Sequence, residues 1–144
     1  MSIANEFDEV FFKLSRLMKT EMAFESDLAK LSMQQIHALF FLDIHENAQM
    51  KEISDYFRIE MPTATSLLNK LVALKLVKRQ TNKNDRRSVQ VVLTLKGQEI
   101  VTQAKEKRHE KLSQMLSLLS LQEKEKLLEI LKTITTNVER KYEK

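Results

Sequence analysis

Seven basic side chains crowd into one short stretch of this chain. Lys70, Lys75, Lys78, Arg79, Lys83, Arg86 and Arg87 all fall within residues 70–87, where Asp85 is the one acid and the local balance is +6. Residues 1–69 balance to −5 and residues 88–144 to +3, giving a net charge of +4. A compact basic block in an otherwise balanced chain is the electrostatic footprint of a polyanion binder. A solvated charged face is the ordinary alternative, so the surroundings of the block have to decide. Leading into it, Thr63, Ser66, Asn69 and the block's first residue, Lys70, share one face of a helical pattern. Hydroxyls of that size can bond several bases. Asn69 has the groups to reach an adenine edge, and Lys70 a phosphate.

Other chemistries find little to work with. There is no cysteine, so disulfides, thiol catalysis and cysteine metal sites are absent. With one glycine, the chain has no phosphate-cradling glycine loop. The histidines are His37, His45 and His109. His37 and His45 lie about two helical turns apart, too far to share an ion, and read as packing or surface residues. No metal, no cofactor and no enzymatic activity are expected. No run of apolar residues approaches the roughly 18 needed to span a membrane. The first six residues lack a basic-then-apolar leader pattern, so a cytoplasmic protein is expected.

Composition and periodicity outline the elements that must hold the polar face and the basic block. Apolar residues are 42% and charged residues 31%, as in a globular domain, and one Gly and one Pro in 144 residues imply mostly helix. Ile3, Phe7, Val10, Leu14 and Leu17 alternate four- and three-residue steps in a first helix, with Phe11, Met18 and Met22 widening the seam. Ser32 and Gln35 have the form of a capping box. The helix after them carries Ile36, Leu39, Phe40 and Ile44 on one face, broadened by Phe41 and Leu42, and Glu46 and Asn47 end it. A short helix over 50–57 should bury Ile53, Tyr56 and Phe57. The sole proline, Pro62, suits a first helical turn. It opens a helix running to about Lys75 that buries Ala64, Leu67, Leu68 and Leu71.

The period then drops to two over residues 76–80 and 89–93, which predicts a hairpin whose tip, residues 81–88, is polar and basic. Thr94 can cap a further helix with Gly97 in its first turn, where close backbone packing is the expected use. That helix carries Ile100, Val101, Leu112, Met115, Leu116 and Leu119. Ser120 and Glu123 form a second capping box before a last helix with Leu127, Leu131, Ile134 and Val138 in four-three-four spacing. Both terminal helices therefore present heptad-like seams that need a partner.

Two short helices, a tight turn, a helix with a polar outer face and a basic hairpin follow the order of a winged helix-turn-helix. The chain resembles the multiple-antibiotic-resistance regulator (MarR) family at particular residues. These are Leu31, Ser32, Met33, Gln34 and Gln35, then Glu52, Ile53 and Ser54, then Thr63, Ala64, Thr65 and Leu71. Leu76, Val77, Lys78 and Arg79 continue the likeness, followed by Asp85, Arg86 and Arg87 and by Leu93, Thr94, Leu95, Lys96 and Gly97. By motif it covers roughly residues 28–100. It implies a mainly α fold of six helices and a wing: a winged helix-turn-helix over 31–97 and a dimerisation region over 1–30 and 98–144, in one continuous compact domain.

The resemblance further implies a bacterial transcriptional repressor, acting as a homodimer on a pseudo-palindromic duplex and tuned by a small aromatic or amphipathic anion. Pro62, Thr63, Thr65, Ser66, Asn69 and Lys70 would meet DNA from the helix, and Lys83, Asp85, Arg86 and Arg87 from the wing, with Asp85 orienting Arg87. Ile3, Phe7, Val10, Leu14, Leu127, Leu131, Ile134 and Val138 would make the dimer. Two positions depart from the family pattern: Lys75 stands where glycine is usual, and Glu60 where a serine cap is common. A protein–protein adaptor would explain the seams but not the basic hairpin. A nonspecific architectural DNA binder would bind random and specific duplexes alike.

Overall fold

The computed structural model describes residues 2–21 and 27–143. Met22, read above as widening the first seam, lies outside the described residues. Among the described residues, six helices and a small sheet follow in order: α1 (Ile3–Glu21), a 3-10 turn (Asp27–Lys30), α2 (Met33–Ile44), β1 (Ala48–Gln49), α3 (Met50–Phe57), α4 (Met61–Ala73), β2 (Val77–Thr81), β3 (Val89–Leu93), α5 (Leu95–Leu116) and α6 (Leu121–Tyr142). The chain divides into two compact units, Met1–Glu106 and Lys107–Lys144.

The local signals act as expected. The Ser32 hydroxyl accepts from the Gln35 amide at 3.2 Å while the Gln35 side chain accepts from the Ser32 amide at 2.9 Å. Ser120 and Glu123 repeat the exchange at the start of α6. Each box satisfies amides that a helix end leaves without partners. A third capping signal was not read from the sequence: the Glu52 carboxylate accepts from the Gln49 amide at 2.8 Å and opens α3.

In the first unit, Ala64, Leu67, Leu68 and Leu71 of α4 are buried, together with Ile53, Leu39, Leu42 and Val91. Two expected core residues are not in the core. Ile44 is 71% exposed: it is the last residue of α2, beyond the buried Gln35, Ile36, Ala38, Leu39, Phe41 and Leu42. Tyr56 is 61% exposed, though its ring lies 4.5 Å from that of Phe41 and 5.0 Å from that of Phe57. Leu119 falls in the turn after α5 rather than within the helix.

The sheet has the order β1-β3-β2, both pairings antiparallel. Its two-residue strand β1, not expected from the sequence, pairs Ala48 with Val91 and Gln49 with Gln90. Such a strand carries too little pattern to be seen in advance. β2 pairs with β3 from Val77–Leu93 out to Thr81–Val89. At the base of this hairpin the backbone of Gly97 passes so close to β2 that an added Cβ would lie 2.0 Å from the Leu76 carbonyl oxygen. That same oxygen accepts the Thr94 amide at 3.0 Å. The Thr94 hydroxyl accepts from the Gly97 amide at 3.0 Å and donates to the Lys75 carbonyl at 2.6 Å.

The obstacle at Gly97 is backbone and cannot rotate away. Gly97→Ala is therefore expected to lower stability by about 1–3 kcal/mol, as overpacking does. Urea or thermal melts followed by circular dichroism measure this, and an unchanged melt would show that the hairpin base can yield.

Candidate nucleic-acid interface

Helix α4 starts one residue before Pro62 and ends at Ala73, two residues short of the expected end. Its N-cap, Glu60, is extended (φ −73°, ψ 156°) but makes no side-chain cap bond, so the departure from a serine cap leaves that end held by backbone alone. With Ala64, Leu67, Leu68 and Leu71 buried, the helix presents Pro62, Thr63, Thr65, Ser66, Asn69 and Lys70 to solvent. The hydroxyl of the exposed Thr65 donates to the Met61 carbonyl at 3.0 Å. Lys70 Nζ reaches the Lys30 carbonyl at 3.4 Å, so it lies along the flank toward the 3-10 turn. Asn69 Oδ1 accepts from Arg79 Nη2 at 2.7 Å, a link from α4 to β2 that no sequence motif announces.

The turn between α3 and α4 depends on Arg58 in the left-handed region (φ 53°). The Ile59 amide then reaches back to the Ser54 carbonyl at 3.0 Å. The far end of α4 closes the same way. Lys75 is left-handed (φ 60°), its amide bonds the Val72 carbonyl at 2.9 Å, and the Leu76 amide bonds the Leu71 carbonyl at 3.0 Å. These are the paired bonds of a Schellman ending, completed by the buried side chains of Leu71 and Leu76. The helix end is as tightly turned as a glycine would make it, and Lys75 bears the steric cost.

The wing tip is built from side chains that mimic turns. Asn82 Oδ1 accepts from the Asn84 amide and Asp85 Oδ1 from the Arg87 amide, each at 3.0 Å. The Ser88 amide bonds the Asp85 carbonyl, and the Asn82 amide closes the loop on the Ser88 carbonyl, both at 3.0 Å. Asp85 thus holds the backbone of Arg87, and no ion pair joins the two side chains among the described residues. Lys83, Asp85, Arg86 and Arg87 are all exposed. The helix residues and the wing residues named from the sequence therefore stand on adjacent elements with their polar groups outward.

A family model described as the MarR family matches residues 29–88. The uncharacterized HTH-type transcriptional regulator YfiV of Bacillus subtilis (strain 168) is 34% identical over 109 residues, 76% of this chain and 68% of that one. The chain belongs to the MarR family. It is a winged helix transcriptional regulator and not an enzyme. Among solved structures, RV1404 from Mycobacterium tuberculosis is similar with a TM-score of 0.74 at 18% identity, over 95% of both chains. MepR of S. aureus in complex with DNA has a TM-score of 0.71 at 23% identity, over 91% of this chain and 97% of that one. MepR bound to ethidium bromide has a TM-score of 0.69 at 23% identity, over 92% and 96%. Against the MarR pattern, Lys75 keeps the geometry of the usual glycine without its freedom.

A left-handed residue with a Cβ costs roughly 1–2 kcal/mol, part of which glycine returns as unfolded-state entropy. Lys75→Gly is expected to raise stability by about 0.5–1 kcal/mol in denaturant melts. A loss of stability would mean that the lysine side chain contributes packing there.

Proposed function

We propose that this MarR-family chain is a homodimeric, sequence-specific repressor. It binds a pseudo-palindromic duplex and is released or retained by a small-molecule effector. The observation that carries the reading is the pairing of α4's exposed polar row with a basic, turn-ordered wing on one closely packed base. A helix of this kind enters a major groove, with Pro62, Thr63, Thr65 and Ser66 nearest the base edges. Lys83, Arg86 and Arg87 then meet the adjacent minor groove, where the potential is most negative. The complex of MepR with DNA supports this use of the fold.

Dimerisation is supported by what each unit leaves uncovered. In α1, Ile3, Phe7, Val10 and Leu14 are exposed, and so are Phe11 and Phe12. In α6 none of the described residues is buried, and Leu127, Leu131, Ile134 and Val138 are among the exposed apolar side chains. Helices this apolar are stable when they bury their seams, and a second copy offers matching ones. In the dimer, two α4 helices would address half-sites about one helical turn apart.

The effector arm rests on the family and on MepR bound to ethidium bromide. One cleft in the first unit is lined by Leu42, Asp43, Glu46, Asn47, Val92, Leu93, Gln98 and Thr102. Its ionisable lining residues are acids, which gives no support to an anion at that place. Among the described residues no helix is long and apolar enough to cross a membrane, in keeping with the cytoplasmic setting proposed here.

The test begins with sedimentation, which should give a dimer that Leu131→Glu splits or unfolds. Fragments selected from the source genome should then bind far better than random duplexes. Six to ten phosphate contacts per dimer imply a loss of roughly 10³–10⁵ in affinity between about 50 and 200 mM salt. A stable native monomer, equal binding to random DNA, or a flat salt dependence would each count against the proposal.

The wing gives a finer prediction. Asp85→Ala removes a negative charge yet should weaken binding, because the Arg87 amide loses its acceptor. Asp85→Asn keeps an oxygen at the same place and should bind as well as the native protein or better. Titrations on a selected duplex separate the two variants. Tighter binding by Asp85→Ala would show that only its charge matters.

A further inference from the structure

The link between Asn69 and Arg79 lies outside the expectations drawn from sequence, and its chemistry is specific. Alternation along β2 puts Arg79 on the same face as Val77, which is buried, and pairs it with Val91, also buried. Arg79 itself lies beyond the core, is exposed, and reaches over α4 to Asn69. A guanidinium only donates, so the Asn69 oxygen must face it and the Asn69 NH2 must face away. Bidentate recognition of adenine needs that oxygen as an acceptor for the base. With the oxygen turned to Arg79, Asn69 is poorly placed for the base-reading role expected of it.

We propose that Arg79 and Asn69 form a phosphate clamp in the angle between α4 and the wing. This rests on the DNA-binding function proposed above. When a helix occupies a major groove and its hairpin reaches the adjacent minor groove, the sugar-phosphate strand dividing the grooves must cross the angle between them. Arg79 stands on the strand that forms one side of that angle, and Asn69 on the helix that forms the other. The remaining guanidinium N–H groups and the outward Asn69 NH2 form a donor-only surface, suited to phosphate oxygens and unable to accept from a base. Asn69 acts here as a positioning residue: it holds a long side chain in place before DNA arrives, reducing the rotamer entropy lost on binding.

The experiment measures affinity by fluorescence anisotropy across a salt series, on a genome-selected duplex and a random duplex of equal length. Circular dichroism melts serve as the folding control. Arg79→Met should weaken binding to both duplexes by a similar factor, about tenfold or more. It should also lower the steepness of the log–log salt dependence by about one for each phosphate no longer neutralised. Arg79→Lys should restore the salt dependence but only part of the affinity, since an ammonium lacks the planar fork. Asn69→Ala should weaken both duplexes a few-fold with the salt dependence unchanged and the base preference intact. The clamp is overturned if Arg79→Met binds like the native protein, or if either variant alters base preference on the selected duplex and spares the random one. Failure of the native protein to bind any duplex would bring down the DNA-binding function itself, and the clamp with it.

Discussion

The Leu76 carbonyl is the point on which the geometry of the first unit depends. It belongs to the residue that completes the Schellman ending of α4 and leads directly into β2. It accepts the Thr94 amide at the start of α5, and Gly97 packs against it where any side chain would collide. The end of α4, the start of the hairpin and the start of α5 therefore meet within a few ångströms of one peptide group. The Thr94 hydroxyl secures the same junction by bridging the Gly97 amide and the Lys75 carbonyl. A wing attached by a loose linker would have to be ordered by DNA at an entropic cost. One anchored in this way carries its basic tip at a set angle from α4 before any partner is met.

This economy explains where the chain places its only glycine. Among the described residues the left-handed ones are Asn47, Arg58 and Lys75, and none of them is glycine. Arg58 and Lys75 close helices that frame the candidate interface, and there a Cβ is tolerated at some strain. At Gly97 strain is not the issue: the space is already occupied by backbone. A modest conformational cost can be offset by surrounding contacts, whereas overlap with a carbonyl oxygen forces the elements apart.

Electrostatics and hydrogen bonding have separate parts in the candidate interface. The basic block sets the long-range field, but its charges alone would make a diffuse patch. Position comes from neutral or backbone-directed bonds: Asp85 on the Arg87 amide, Asn82 on the Asn84 amide, Asn69 on the Arg79 guanidinium. Asp85 is the clearest case, since a carboxylate inside a cationic wing opposes the field while shaping the loop that carries it.

The parts legible in the sequence were those governed by interactions within about four residues. The capping boxes at Ser32 and Ser120, the buried row of Ala64, Leu67, Leu68 and Leu71, and the change of period at Leu76 are local patterns with local causes. The need for a small residue at Gly97 was legible too, but not what it packs against. Only the tertiary structure decided that α2 would leave its last residue, Ile44, exposed while burying Gln35. It also decided that two residues, Ala48 and Gln49, would extend the sheet, and that Asn69 would be taken by Arg79. Each of these outcomes joins elements distant along the chain. Composition and periodicity record what a segment needs to bury or bond; which partner meets that need is set by the packing of the other segments around it.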